Sequence, residues 1–124
     1  MAFTRSNINE PNLGSGVQTK LNRAFGQFTL STVTNDTFWL NNYVPAGVTI
    51  TKLHAETASG TCDLTVNING TPVTGITSVG ASSTRVTATA TAANTAATGD
   101  RLTLTIANNV DGVMLGITLE GVWS

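Results

Sequence analysis

The sequence predicts an all-β fold: an antiparallel β-sandwich of jelly-roll-like layout, with about eight strands behind an extended N-terminal arm. Three observations carry that prediction. Threonine alone supplies roughly a fifth of the 124 residues, and with valine and isoleucine it gives a β-branched excess that suits pleated, half-buried strands better than helices. Apolar residues recur at every second position through most of the chain, the period of a strand with one buried face. Gly, Asn and Pro punctuate these runs at close spacing, as two packed antiparallel sheets or a barrel require.

The first 25 residues read differently from the rest. Up to about Gly16 the chain is rich in Asn, Ser and Gly around Pro11, the composition of an extended arm. Val17, Leu21, Ala24 and Phe25 then recur at three- and four-residue spacing, which leaves room for a short helix across an edge of the domain. The arm is therefore assigned to residues 1–25 and the β domain to residues 26–124.

From Gly26 onward the period is two. Phe28 and Leu30 alternate with polar neighbours, as do Phe38 and Leu40, with Asn35-Asp36 as the turn between them. Val44-Pro45-Ala46-Gly47 interrupts the pattern. Val48 and Ile50 resume it, and Leu53 and Ala55 then take the opposite parity, which requires a bulge near Thr51. In TCDLTVNIN, Cys62, Leu64, Val66 and Ile68 share one face. Asn69-Gly70 follows, a pair suited to the positive φ angles of a type I′ hairpin turn, so Thr71 to Val73 begins the return strand. Val86, Ala88 and Ala90 form a further alternating set; AANTAATGD supplies a turn; Leu102, Leu104 and Ile106 form the next strand. After Asn108-Asn109 and Asp111-Gly112, the residues Val113, Leu115, Ile117, Leu119 and Trp123 share one parity. Many inward positions are Ala or Thr, so the core is light for its length, and subunit contacts are expected to supply further burial in an oligomer.

Composition excludes several function classes. Only 10% of residues are charged and the net charge is −1, against a usual charged share of about 25%; scattered basic residues give no footprint for nucleic acid. No run approaches a membrane-spanning helix or a signal sequence, so no membrane partner and folding in a cytoplasm are expected. Cys62 is the one cysteine, which rules out an internal disulfide and a multi-thiolate metal site; on an apolar strand face it reads as a small buried side chain. His54 is the one histidine, set on a polar face opposite in parity to Leu53 and Ala55, where an ordinary surface role outweighs a catalytic one. Asp36, Asp63, Asp100 and Asp111 lie on different turns and strands without calcium-loop spacing. No catalytic residues, cofactor or metal are expected, and the chain does not read as an enzyme. Phe38, Trp39 and Tyr43 cluster near one strand end. Phe38 reads as core, while Trp39 and Tyr43 either pack on an edge or a neighbouring subunit or bind a carbohydrate or protein partner.

Residues 67–106, NINGTPVTGITSVGASSTRVTATATAANTAATGDRLTLTI, resemble a segment common in small structural proteins of tailed bacteriophages. The likeness rests on an ING turn, a VTG step, an ATATAAN run and GDR followed by an alternating strand. It covers about a third of the chain, and VPAGVTITKLHA and VMLGITLEG fit the same layout. The resemblance implies a virion component made in the host bacterial cytoplasm: a capsid decoration or cement protein, or a head-fibre, tail-fibre or tail-tip module that binds a host receptor or glycan. Such proteins are commonly trimeric. One short domain, a polar arm and no long repetitive shaft favour capsid decoration. The implied partners are further copies of the chain and the major capsid protein or other virion proteins. The candidate contacts are Phe3, Arg5, Leu13, Val17, Leu21 and Phe25 of the arm, with Trp39 and Tyr43.

Overall fold

The computed structural model describes residues 22–123, and within them every regular element is a strand. In chain order these are β1 (Asn22–Thr32), β2 (Asp36–Asn41), β3 (Val48–Ile68), β4 (Thr71–Pro72), β5 (Val79–Ala81), β6 (Val86–Thr89), β7 (Thr95–Ala96) and β8 (Leu102–Trp123). All pairings are antiparallel.

Two very long strands organise the fold. β3 and β8 pair along their whole lengths, from Val48 opposite Trp123 to Ile68 opposite Leu102. Both bend at the same place. Gly60 on β3 and Asp111 on β8 have φ of 76° and 53°, left-handed values that Gly adopts freely and Asp more readily than most residues. Beyond this corner β8 exchanges its outer neighbour: Val113 to Val122 pair with β1, while Leu102 to Ile106 pair with β2.

The bend turns one hydrogen-bonded sheet into two layers. β1, the second half of β8, the first half of β3, β6 and β7 make one; β2, the other halves of β8 and β3, β4 and β5 make the second. The Phe28 and Phe38 ring centroids lie 5.4 Å apart, whereas ten residues of extended chain would separate them by about 33 Å. The layers therefore face each other. On the far side they are joined directly, since Thr74 N–H donates to Ala92 O at 3.0 Å and Thr91 N–H to Thr74 O at 2.8 Å.

Asn109 ties the corner to the β1–β2 turn. Its Nδ2 donates to Val33 O at 2.9 Å, its Oδ1 accepts from Gly112 N–H at 3.0 Å, and its own N–H donates to Asn35 Oδ1 at 2.9 Å. One amide thus satisfies backbone groups that bending removes from the ladder.

The core lies between the layers. Val48, Ile50, Leu53 and Ala55 of β3 meet Leu115, Ile117 and Leu119 of β8 in one layer, and Leu64 and Val66 meet Leu104 and Ile106 in the other. The change of parity between Ile50 and Leu53 coincides with a register shift between Ile50 and Lys52, the bulge expected near Thr51. The hairpin at Asn69-Gly70 has both φ angles positive, 50° and 85°, with Ile68 opposite Thr71.

Three expectations are corrected. Ala24 and Phe25 do not lie on a helix: β1 begins at Asn22, and pairing with β8 overrides the three- and four-residue spacing. The arm–domain boundary at residue 25/26 accordingly falls inside a strand. Val17 and Leu21, the other half of that expected helix, lie outside the described residues. The polar stretch Asn108–Gly112, expected to separate two strands, bends one strand instead, opposite the bend at Gly60, so the two layers share strands instead of forming separate sheets. Val113, expected inward with Leu115, is exposed, because Met114 between them has φ of 56° and breaks the alternation.

Candidate functional site

The exposed aromatic residues gather at the end of the sandwich away from the corner. Trp39 is 60% exposed and Tyr43 59%. Trp39 sits opposite Thr103 on the outer face of β2 and β8, next to a register shift between Trp39 and Asn41; such a bulge re-aims the side chains beside it. Arg101, two residues before Thr103 and so on the same face, places its Cζ 4.4 Å from the Trp39 ring centroid, within cation–π range. Its backbone is clamped on both sides by Asn69: Arg101 N–H donates to Asn69 Oδ1, and Arg101 O accepts from Asn69 N–H, each at 2.9 Å.

Tyr43 reaches the same turn from the other side. Val44, buried beside it, donates to Asp100 O and accepts from Gly99 N–H. Gly99 has φ of 91°, and a Cβ there would lie 3.5 Å from the Tyr43 ring. The Gly99–Arg101 turn is thus flanked by two exposed rings. Asp100 fixes the turn by accepting from Ala97 N–H at 2.8 Å. That bond, with help from the Asn69 side chain, holds its carboxyl below the usual carboxylate range. The contribution to the turn is present above the unfolded group's titration and is lost as pH falls through the lowered value.

Beneath Trp39 lies a polar row that burial has sealed. Asn67 and Thr103 are both buried, and Asn67 Nδ2 donates to Thr103 Oγ1 at 3.4 Å and Thr105 Oγ1 at 3.1 Å. These groups satisfy one another.

A second polar constellation occupies the outer face of the other layer. His54 pairs across strands with Thr87 and Thr118; its Nδ1 is 2.9 Å from Thr87 Oγ1, and its Nε2 bonds Glu120. Beside it Arg85 Nε donates to Glu56 Oε1 at 2.8 Å. His54, Glu56, Arg85 and Thr118, together with Gln27, Thr29 and the side-chain-free Gly116, border a shallow groove of about 530 Å³. His54 is on the polar face as expected, where its side chain bonds residues of the two neighbouring strands. The arrangement is what cross-strand neighbours on one sheet face make, and partly exposed pairs of this kind contribute about 1 kcal/mol or less.

At the corner, Val110, Val113 and Met114 form another exposed apolar group. Along β8 this lies about 23 Å from Thr103 at the aromatic end. Among the described residues, no group of three His, Cys, Asp or Glu side chains could hold a metal ion, and no helix is long and apolar enough to cross a membrane.

Cys62 lies in the core at 1% exposure. Burial, and to a lesser degree the charge of Asp63, push its thiol pKa up, which suppresses the reactive thiolate. Native protein at pH 8 is expected to resist a maleimide over a period that labels it fully in urea; rapid labelling of native protein would mean that β3 opens.

Of the expected contact residues, the structure brings Trp39 and Tyr43 to one end of the molecule. Phe25 lies in β1 at the register shift between Ala24 and Gly26. Phe3, Arg5, Leu13, Val17 and Leu21 lie outside the described residues. Arg101 was missed by sequence reasoning. The GDR motif contained it, but only the β2–β8 register places it over Trp39. Comparison with known proteins finds no matching family, no similar curated protein and no similar solved structure.

Proposed function

We propose that the chain is a structural protein of a tailed-bacteriophage virion, a capsid decoration or cement protein that joins neighbouring subunits through protein contacts. The observation that carries this reading is the placement of exposed large apolar side chains at two separated ends of a weakly charged sandwich: Trp39 and Tyr43 at one, Val110, Val113 and Met114 at the other. Isolated exposed apolar residues are ordinary, but clusters on a polar, neutral domain mark interaction sites. A body with a contact group at each end can bridge two neighbours. The resemblance of residues 67–106 to phage structural proteins points the same way. On this reading the protein acts as a homo-oligomer, a trimer in the favoured form, seated on the major capsid protein with no cofactor and no chemistry.

The test is co-sedimentation with assembled heads, combined with native mass measurement. A trimer that pellets with heads is expected, and Met114→Lys should weaken that association at least tenfold, the effect of removing an interface anchor. A monomer that stays in the supernatant at all concentrations overturns the proposal.

A second reading is favoured by the aromatic end alone. Two rings about 60% exposed on either side of one turn, with an arginine stacked on one of them, suit a tail-fibre, tail-tip or head-fibre module that binds a host receptor or glycan. Sugar rings stack their C–H faces on such platforms.

A further inference from the structure

We infer that the Trp39–Arg101–Tyr43 end takes an acidic sugar, a pyranose unit carrying a carboxylate, with the rings receiving its apolar face and Arg101 its charge. The inference rests on the glycan-binding reading above and deepens it by naming the ligand class.

The two arginines whose side chains are described stand in opposite circumstances. Arg85 is paired with Glu56 at 2.8 Å. Arg101 has no carboxylate partner among the described residues; its side chain stacks on the Trp39 ring. Asp100, adjacent in sequence, directs its carboxylate to Ala97 N–H. Stacking on a ring engages the face of a guanidinium and leaves in-plane N–H donors for a carboxylate, which a planar fork binds in bidentate fashion. A cation held over an exposed ring, with its backbone clamped by Asn69 at 2.9 Å on both sides, is positioned before any ligand arrives, which lowers the ordering cost of binding.

The surroundings select a sugar over a simple anion. An inorganic anion would use Arg101 and leave both rings in water, whereas a pyranose acid also brings an apolar face to a ring beside its carboxylate. Asn42, exposed beside Tyr43, offers an amide group of the kind that bonds sugar hydroxyls. The low overall charge, −1 on 124 residues, provides no general attraction for polyanions, so the charge recognition at this end is assigned to Arg101.

The experiment titrates the full chain with oligogalacturonate and oligosialic acid, and with the methyl ester of each, following tryptophan fluorescence and calorimetric heat. At least one acid is expected to bind ten times or more tighter than its ester. Arg101→Gln should remove that preference and leave weak binding of both forms, and Trp39→Ala should abolish binding of both. Thermal melting of each variant verifies folding. Equal binding of acid and ester, or a preference that survives Arg101→Gln, overturns the acidic-sugar inference but leaves the glycan reading standing. No binding of any of the four probes overturns both.

Discussion

Gly60→Ala is expected to cost about 3–5 kcal/mol, at the upper end of single-residue effects. Gly60 has φ of 76°, and a Cβ built on it would lie 2.1 Å from the carbonyl oxygen of Asp111 and 2.6 Å from Gly112 N. Both contacts are backbone of the partner strand at its own bend, so neither can rotate aside. The surrounding bonds leave little slack: Thr57 Oγ1 donates to Gly60 O at 2.9 Å, and Asn109 holds the facing corner. Gly70 is the control. Its φ is 85°, but nothing lies within 4 Å of its Cβ position, so Gly70→Ala carries only the left-handed backbone penalty of about 1–2 kcal/mol. Urea unfolding of both variants separates the two contributions. Equal midpoints would mean that the β3 and β8 corners do not press on each other.

This corner is also where sequence reading and structure part. Gly60 and the Asn108–Gly112 stretch have the chemistry of a reversing turn, because bending and reversing a strand both need positive φ and side chains that satisfy local backbone. Which of the two occurs depends on the neighbour the chain keeps beyond the interruption. β3 keeps β8 through both halves, and no local pattern contains that information. What is local was legible: the inward parity of Leu64 and Val66, the bulge that switches Ile50 to Leu53, and the Asn69-Gly70 hairpin all follow from nearest neighbours on the strand. Ala24 and Phe25 show the converse. Their helical spacing is a weak preference, and the ladder with β8 outweighs it.

The same distinction applies to the candidate sites. Trp39 and Tyr43 could be singled out because exposed aromatic residues beside a strand break stand out in a polar chain. The coupling of Trp39 to Arg101 could not, since it depends on register between residues 62 positions apart. His54 and Glu120 are separated by 66 residues and meet only because Lys52 faces Glu120 and His54 faces Thr118. Identity of a candidate residue is therefore available from the sequence, whereas its partner belongs to the sheet.

Leu119→Ala is expected to remove about 2–5 kcal/mol, a large share of the roughly 5–15 kcal/mol that stabilises a domain of this size. Leu119 is fully buried and central in its layer, with Leu53 opposite it on β3 and Gly26 opposite it on β1. Its Cδ1 lies 3.4 Å from where a Gly26 Cβ would be, so the leucine occupies space the glycine leaves. Gly26→Ala gives a second handle. Alone it is expected to be neutral or mildly destabilising at that 3.4 Å contact; in the Leu119→Ala background it places a methyl group in the cavity and should recover about 0.5–1 kcal/mol. The double-mutant cycle then gives a favourable coupling between the two sites. A Leu119→Ala cost below about 1 kcal/mol would show that the two layers do not close on each other at this point, and additive behaviour of the pair would show that the Gly26→Ala methyl group does not reach the gap.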